Sequence, residues 1–393
     1  MRIVVGNPVE GDDFFGRQKE QQQLWRKLKT ANLLMLAPRR IGKTSLLKRL
    51  RDTGVQHQTK VLYCSFAGCE NELSCINELL NSLSPFQELH QNVFKQIGHA
   101  LKQVKGINVA GLKLELGEVE QQQWTRIGQS LTESLEKLKL DEEQLVICVD
   151  ELPIFILRVL KQPDGLTKVR FFLNWFRQLR QTHSDAIKWV LAGSIGLDTV
   201  TNRLGIGDTI NDLQPYPLGG FDDHNAKLLL QELAKENELQ LDEQVCDYII
   251  GRIGWSVPYY LQVMLDTILD TKIDPLTPVE PQDVDEAFET LLKPAYKSYF
   301  DYWRQRLTEE LGQPEDGYAI TLLNHTCRDS KGVSRDTLKQ ALMDKAGNTA
   351  QFDELFTYLL DTLENDGYIV QVNERYRFRL AWLREYWQSR VAV

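Results

Sequence analysis

The sequence predicts an α/β chain: a parallel sheet core first, a helical stretch second, and a small module of helices and a hairpin last. Three observations predict it. Short, continuous apolar runs alternate with helical periodicity through the first half, at Asn32–Ala37, Lys60–Phe66, Gln144–Val149 and Lys188–Ala192. Continuous rather than alternating runs mark strands covered on both faces, the habit of a parallel sheet. From Phe221 onward the apolar residues recur at helical spacing. Near the C-terminus two alternating runs flank Asn373-Glu374, which reads as a hairpin.

In chain order, residues 14–30 read as a turn and an amphipathic helix carrying Leu24, Trp25 and Leu28. A strand over Asn32–Ala37 runs into Pro-Arg-Arg-Ile-Gly-Lys-Thr-Ser, and a helix follows through Leu46, Leu47 and Leu50. Residues 71–140 are largely helical in pattern, interrupted by an alternating stretch from Ile107 to Leu116 that suggests an inserted hairpin. A buried strand then ends in Asp150-Glu151, and the next ends in Gly193-Ser194. Helices are expected over Ala226–Leu239, Val245–Ile253, Tyr259–Leu269 and Val284–Leu292, with a proline-rich connection beginning at Ile273. Three short helical patterns and the hairpin then make a winged-helix module. The expected domains are a core over 1–218, a helical lid over 219–295 and the winged helix over 296–393.

The composition sets limits. At 393 residues the chain can bury two or three cores. With 42% hydrophobic and 26% charged residues it resembles an ordinary globular protein. Its apolar runs are of strand length, so no membrane partner is expected. The polar turn straight after Val5 leaves no secretory signal, so the expected location is the cytoplasm. The net charge of −9 argues against a protein devoted to coating nucleic acid. Residues 1–60 nevertheless carry 13 Lys and Arg against 5 Asp and Glu, a basic end suited to a polyphosphate. The six cysteines include no C-x-x-C pair and no histidine at ligand spacing, which disfavours zinc. Cys148, in its apolar run, reads as a reduced core thiol.

The chemistry concentrates in two motifs. Residues Ala37 to Thr44 fit the phosphate loop G-x-x-x-x-G-K-[ST] except that alanine holds the first position. Gly42 lets the backbone turn its N–H groups toward a β-phosphate at the positive end of the next helix. Lys43 would reach the β- and γ-oxygens, and the Thr44 hydroxyl would bind Mg²⁺. Asp150, at the carboxyl end of a buried strand, would hold the shell of that ion, and Glu151 would polarise the attacking water. Ser194 is placed to hydrogen-bond either the γ-phosphate or the water. Arg203, closing the helix after that strand, is a candidate finger for a neighbouring subunit's γ-phosphate.

Taken together, Phe15-Gly16-Arg17, Pro38-Arg39-Arg40-Ile41-Gly42-Lys43-Thr44-Ser45, Val149-Asp150-Glu151, Gly193-Ser194-Ile195-Gly196-Leu197 and Gly254-Trp255-Ser256-Val257-Pro258 resemble prokaryotic AAA-type P-loop ATPases. The likeness is to the STAND and archaeal-ATPase group, relatives of origin-recognition ATPases, and it runs through nearly the whole chain. It implies a P-loop NTPase core, a lid and a winged helix, with ATP and Mg²⁺ as cofactors. It also implies that Phe15, Gly16 and Arg17 lie against adenine and ribose, and that Pro258 touches the base. Two departures, the missing first glycine and the lack of an arginine in Gly254–Tyr260 with Arg252 just ahead, favour nucleotide binding over fast intrinsic hydrolysis. The expected function is therefore a nucleotide-gated switch with slow or regulated turnover. Family members often serve in bacterial defence or signalling, with output through a partner protein or self-assembly.

The alternative is an origin-recognition-like ATPase that binds DNA through its winged helix. The helix expected in the major groove, Gln351 to Gly367, carries Asp353, Glu354, Asp361, Glu364 and Asp366 with no Lys or Arg. Phosphates would repel it. Arg375, Arg377 and Arg379 alternate along the wing, suited either to a nucleic-acid backbone or to that acidic helix. The balance favours a protein-docking module.

Overall fold

The computed structural model describes residues 1–83, 107–110, 113–116, 144–182, 187–194, 196–272, 274, 277–347 and 350–392. These residues divide into two compact units, one formed by Arg17–Leu36 with Lys43–Pro217, the other by Met1–Gly16, Ala37–Gly42 and Leu218–Val393.

The first unit is an α/β sandwich. Its strands are β1 (Asn32–Leu36), β2 (Thr59–Ser65), β5 (Gln144–Asp150), β6 (Ile187–Gly193) and β7 (Leu213–Pro215); the hairpin strands β3 (Ile107–Ala110) and β4 (Lys113–Leu116) pair antiparallel with each other. The sheet order is β2-β5-β6-β1-β7, all parallel. Parallel neighbours need crossovers, and the helices supply them: α1 (Gln18–Leu28), α2 (Lys43–Thr53), α3 (Glu72–Ser82), α4 (Leu152–Leu160), α5 (Gly165–Thr182) and α6 (Leu197–Arg203). β5 and β6 are buried almost end to end because helices cover both faces. Phe155, Phe172, Phe176 and Trp189 form a chain of ring contacts between α4, α5 and β6, edge-to-face at both ends and tilted between Phe172 and Phe176. Each such ring contributes about 2 kcal/mol on burial.

The hairpin expected at Ile107–Leu116 is present. The remainder of the helical expectation over 71–140 lies outside the described residues, apart from α3. The short edge strand β7 was not anticipated, because three residues ending in a proline give no strand signal of their own.

The second unit begins with helices α7 (Asp223–Glu236), α8 (Glu243–Ile253), α9 (Pro258–Thr271) and α10 (Pro281–Leu291). Side chains of Asp222 and Asp242 cap α7 and α8. Proline at the first turn starts α9 and α10, where its missing N–H costs nothing. Then come α11 (Asp301–Leu311), α12 (Glu315–Thr326), strand β8 (Val333–Ser334), α13 (Arg335–Ala346), α14 (Phe352–Asn365), β9 (Ile369–Val372), β10 (Arg375–Phe378) and α15 (Ala381–Arg390). The hairpin pairs β10 with β9 and, on its other edge, with β8. Asn373 and Glu374 both take left-handed φ, 49° and 61°, as a two-residue turn between twisted strands demands. Among the described residues, the last hundred therefore hold four α-helices before the hairpin, where three were expected, and a fifth after it. Trp382 and Trp387 of that last helix are fully buried.

Among the described residues no helix is long and apolar enough to cross a membrane. All six cysteines are buried thiols, Cys148 among them at 0% exposure.

Candidate phosphate-loop site

In the sheet unit, the candidate chemistry gathers where β2, β5 and β6 end and α2 begins. Lys43 is the first residue of α2 and is only 5% exposed. Beside it the Thr44 hydroxyl donates to Asp150 Oδ2 at 2.6 Å. The Tyr63 hydroxyl donates to the same oxygen at 3.1 Å, and the Glu151 N–H reaches Asp150 Oδ1 at 3.0 Å. Strand register explains the meeting, since Ser65 pairs with Asp150 and Tyr63 with Cys148. Burial pushes the Asp150 carboxyl above its ordinary value, against the Thr44 hydrogen bond, which works to lower it. Burial also raises the Tyr63 hydroxyl, with Asp150 adding to the effect, so Tyr63 remains a donor.

This donor set, a hydroxyl beside a buried carboxylate, suits a hard divalent ion. Among the described residues no three His, Cys, Asp or Glu side chains gather as a metal cage. An ion held at Thr44 and Asp150 would draw its other ligands from phosphate and water, as Mg²⁺ commonly does.

Glu151 departs from ordinary backbone geometry. Its φ of 56° lies in the left-handed region, which a side-chain-bearing residue enters at a cost of about 1 kcal/mol or more. Ser194 holds it there through the side chain: the Ser194 N–H and hydroxyl both donate to Glu151 Oε2, at 3.2 and 3.1 Å. Ser194 was expected to meet a γ-phosphate or water; it sits 1% exposed, tied to the carboxylate. Gly193 permits the approach, because a Cβ there would overlap the ring of Pro153 in the first turn of α4. Ile195 lies outside the described residues. Arg203 ends α6 and is exposed. Arg17, at the start of α1, is buried with a left-handed φ of 64° and pairs with Glu20 at 2.7 Å.

Ser45, also in the first turn of α2, is 6% exposed. The other candidates belong to the second unit. Phe15 meets Phe221 edge-on at 6.2 Å, and a Cβ on Gly16 would come within 3.2 Å of the same ring. Pro258 is half-buried at the start of α9. In the loop, Pro38 and Ile41 are buried, Arg39 and Arg40 half-buried. Gly42 takes φ +99°, open to glycine and closed in practice to other residues. The Arg40 guanidinium lies 4.1 Å from the Tyr259 ring centre and 4.2 Å from that of Tyr302, and donates to the Tyr299 carbonyl at 3.0 Å.

Sequence reasoning missed Tyr63 and these three tyrosines. Tyr63 was recoverable, standing two residues before the end of the strand beside the Asp-Glu strand. The tyrosines carried no signal, since helical aromatics ordinarily read as core.

Arg252, the cation nearest the lid motif, is committed to structure: it pairs with Asp285 and Glu385 and stacks on Phe288 at 3.9 Å. Two of the three hairpin arginines are also engaged, while Arg377 is exposed. Arg375 donates to the Gly332 carbonyl and pairs with Asp329 at 3.4 Å, and Arg379 lies over Trp255 at 4.6 Å. On the acidic α14, Asp353 pairs with Lys339 at 2.7 Å, and the Glu364 carboxylate favours the charge of Arg379.

No protein-family model matches the chain, and no curated protein matches it. Among solved structures it is similar to a Walker-type ATPase of Pyrococcus abyssi, with a TM-score of 0.62 and 17% identity over 98% of this chain and 99% of the other. The ORC2 protein of Aeropyrum pernix, in ADPNP–ADP complexes, aligns with a TM-score of 0.44 and 13% identity over 98% of each chain. The RuvB Holliday junction branch migration motor of Thermotoga maritima aligns at 0.41 and 14% over 94% of each. At such identity the first of these likenesses shows a shared fold, in keeping with the fold class expected from the sequence.

Proposed function

We propose that this chain is an AAA-type P-loop ATPase of the STAND and archaeal-ATPase kind that binds ATP with Mg²⁺ and hydrolyses it slowly or on demand. Nucleotide state then sets the conformation of a lid (219–295) and a winged helix (296–393), in the manner of a two-state switch. The observation that carries the reading is the 2.6 Å hydrogen bond from Thr44 to the buried Asp150, directly after Lys43 at the start of a helix.

In this reading Lys43 neutralises the β- and γ-oxygens, and the N-terminal amides of α2 add their partial positive charge. Thr44 and Asp150 hold Mg²⁺, which supplies charge stabilisation to the phosphates. Glu151 accepts a proton from the attacking water, and Ser194 fixes the carboxylate oxygen for that task. Phe15, Gly16, Arg17 and Pro258 line the base and ribose. Pro38, Arg39, Arg40, Ile41 and Ser45 shape the phosphate loop. Arg203, exposed at the end of its helix, serves a neighbouring subunit.

The test is calorimetry of ADP with and without Mg²⁺. Thr44→Val, which keeps the shape and removes the hydroxyl, is expected to abolish most of the Mg²⁺-dependent gain in affinity. An unchanged Mg²⁺ gain would refute the assignment of Thr44.

For the C-terminal module we favour a protein partner or self-association over DNA. The support is that the charged residues of α14 are all carboxylates, and that Arg375 and Arg379 are already engaged. Fluorescence anisotropy with duplex DNA at low salt checks this. Tight binding that Arg375→Ala and Arg377→Ala weaken would establish the origin-recognition-like alternative instead.

A further inference from the structure

The phosphate loop residues Ala37–Gly42 group with the C-terminal unit, apart from the sheet unit that holds the strand before them and the helix after them. Two anchors account for that. At one, Pro38 packs on the backbone of Gly367, the turn between α14 and β9: a Cβ at Gly367 would come within 2.7 Å of the Pro38 ring and 3.0 Å of Trp255. At the other, two residues on, Arg40 enters a cage made by the rings of Tyr259 and Tyr302 and the carbonyl of Tyr299.

The cage is built rather than incidental. Tyr302 shares a hydrogen bond with Tyr260 at 2.8 Å, Tyr260 accepts from the Trp303 indole at 2.9 Å, and Tyr368 donates to the Trp303 carbonyl at 2.7 Å. Tyr260, Trp303 and Tyr368 are each no more than 1% exposed. A chain of contacts thus runs from the loop to Tyr368, the residue just before β9. Arg40 itself takes a left-handed φ of 67°, which a non-glycine residue keeps only when its surroundings impose it. Among the described residues Arg40 has no carboxylate partner. Two π faces, the Tyr299 carbonyl and the Tyr260 hydroxyl hold it, a set that favours a planar, weakly hydrated guanidinium over the strongly hydrated ammonium of lysine.

We propose that Arg40 is a positioning residue that couples the phosphate loop to the C-terminal module, the cage of Tyr259, Tyr299 and Tyr302 holding the loop in its nucleotide-accepting turn. The proposal rests on the nucleotide-binding reading above and adds the route by which that site and the module report on each other. Coupling is reciprocal: a cage that favours nucleotide must itself be favoured by nucleotide.

The experiment is a double-mutant cycle on ADP affinity, in the presence of Mg²⁺, joined to hydrogen exchange of the cage. Arg40→Ala and Tyr302→Leu are each expected to weaken ADP about tenfold, and the double variant no further, because both remove one contact. Tyr302→Phe keeps the ring and is expected to rescue affinity, while Arg40→Lys behaves as Arg40→Ala. ADP is expected to slow exchange across residues 299–303 in the native chain and not in Arg40→Ala. Native affinity in Arg40→Ala, losses that multiply in the double variant, or exchange at 299–303 that ignores ADP in the native chain would each overturn the proposal. Lys43→Ala, run alongside, separates the two claims: if it binds ADP like the native chain, the nucleotide reading itself has failed.

Discussion

Ser194 gives both its backbone N–H and its hydroxyl to one carboxylate oxygen of Glu151, at 3.2 and 3.1 Å. Two donors on one oxygen leave the other, Oε1, as the oxygen to meet a water. Glu151→Gln is expected to cut phosphate release at least a hundredfold with ADP affinity preserved, the usual worth of a general base. Ser194→Ala leaves the backbone donor in place and is expected to cost about tenfold. Equal rates in native and Glu151→Gln protein would remove Glu151 from the reaction.

Arg203 makes a sharper prediction. If it acts on a neighbouring subunit, Arg203→Ala and Glu151→Gln proteins are each slow alone but recover turnover when mixed, since a mixed pair contains one site with both native groups. Failure of mixing to restore activity, with both variants still able to assemble, would contradict a role in trans.

Stability of the sheet unit depends on a buried ion pair. Arg180 is fully buried and donates to both oxygens of Asp212, at 2.9 and 2.7 Å, and to the Thr209 carbonyl at 2.9 Å. Removing one partner strands the other, so Asp212→Ala is expected to cost about 3–5 kcal/mol in urea unfolding. A cost under about 1 kcal/mol would mean that water reaches the guanidinium freely.

In the C-terminal unit, the hydrogen bond from Arg252 holds the Asp285 carboxyl below its ordinary value against the opposing effect of burial, and the Tyr248 hydroxyl assists it. A lowered folded pKa stabilises the fold above the unfolded value near 3.8, and that contribution disappears as pH falls through the folded value. Asp285→Asn is therefore expected to destabilise at pH 7 by less than about 1 kcal/mol, the pair being partly exposed and screened. The difference should shrink in urea titrations as pH falls below the unfolded value and disappear below the folded one; a difference that persists undiminished through that range would assign the effect to packing.

Much of this molecule was legible in its sequence, for identifiable reasons. The strands β1, β2, β5 and β6 show as continuous apolar runs because helices cover both faces of the sheet. The phosphate loop and the Asp-Glu pair stand out because their chemistry tolerates few residue types. β7 escaped because an edge strand of three residues owes its existence to pairing with β1, a long-range fact. The link between Ser194 and Glu151 escaped for a similar reason: 43 residues separate them in the chain, and only the sheet order brings their strand ends together. The cage around Arg40 joins residues about 260 apart, and no local pattern encodes it.

The central claim is that Lys43, buried at the start of its helix, holds nucleotide phosphate. Titration calorimetry of ADP into native and Lys43→Ala protein tests it most directly. The account predicts that the substitution lowers affinity a hundredfold or more while the thermal midpoint of the ligand-free protein stays close to native. Affinity retained within a factor of about three would contradict it.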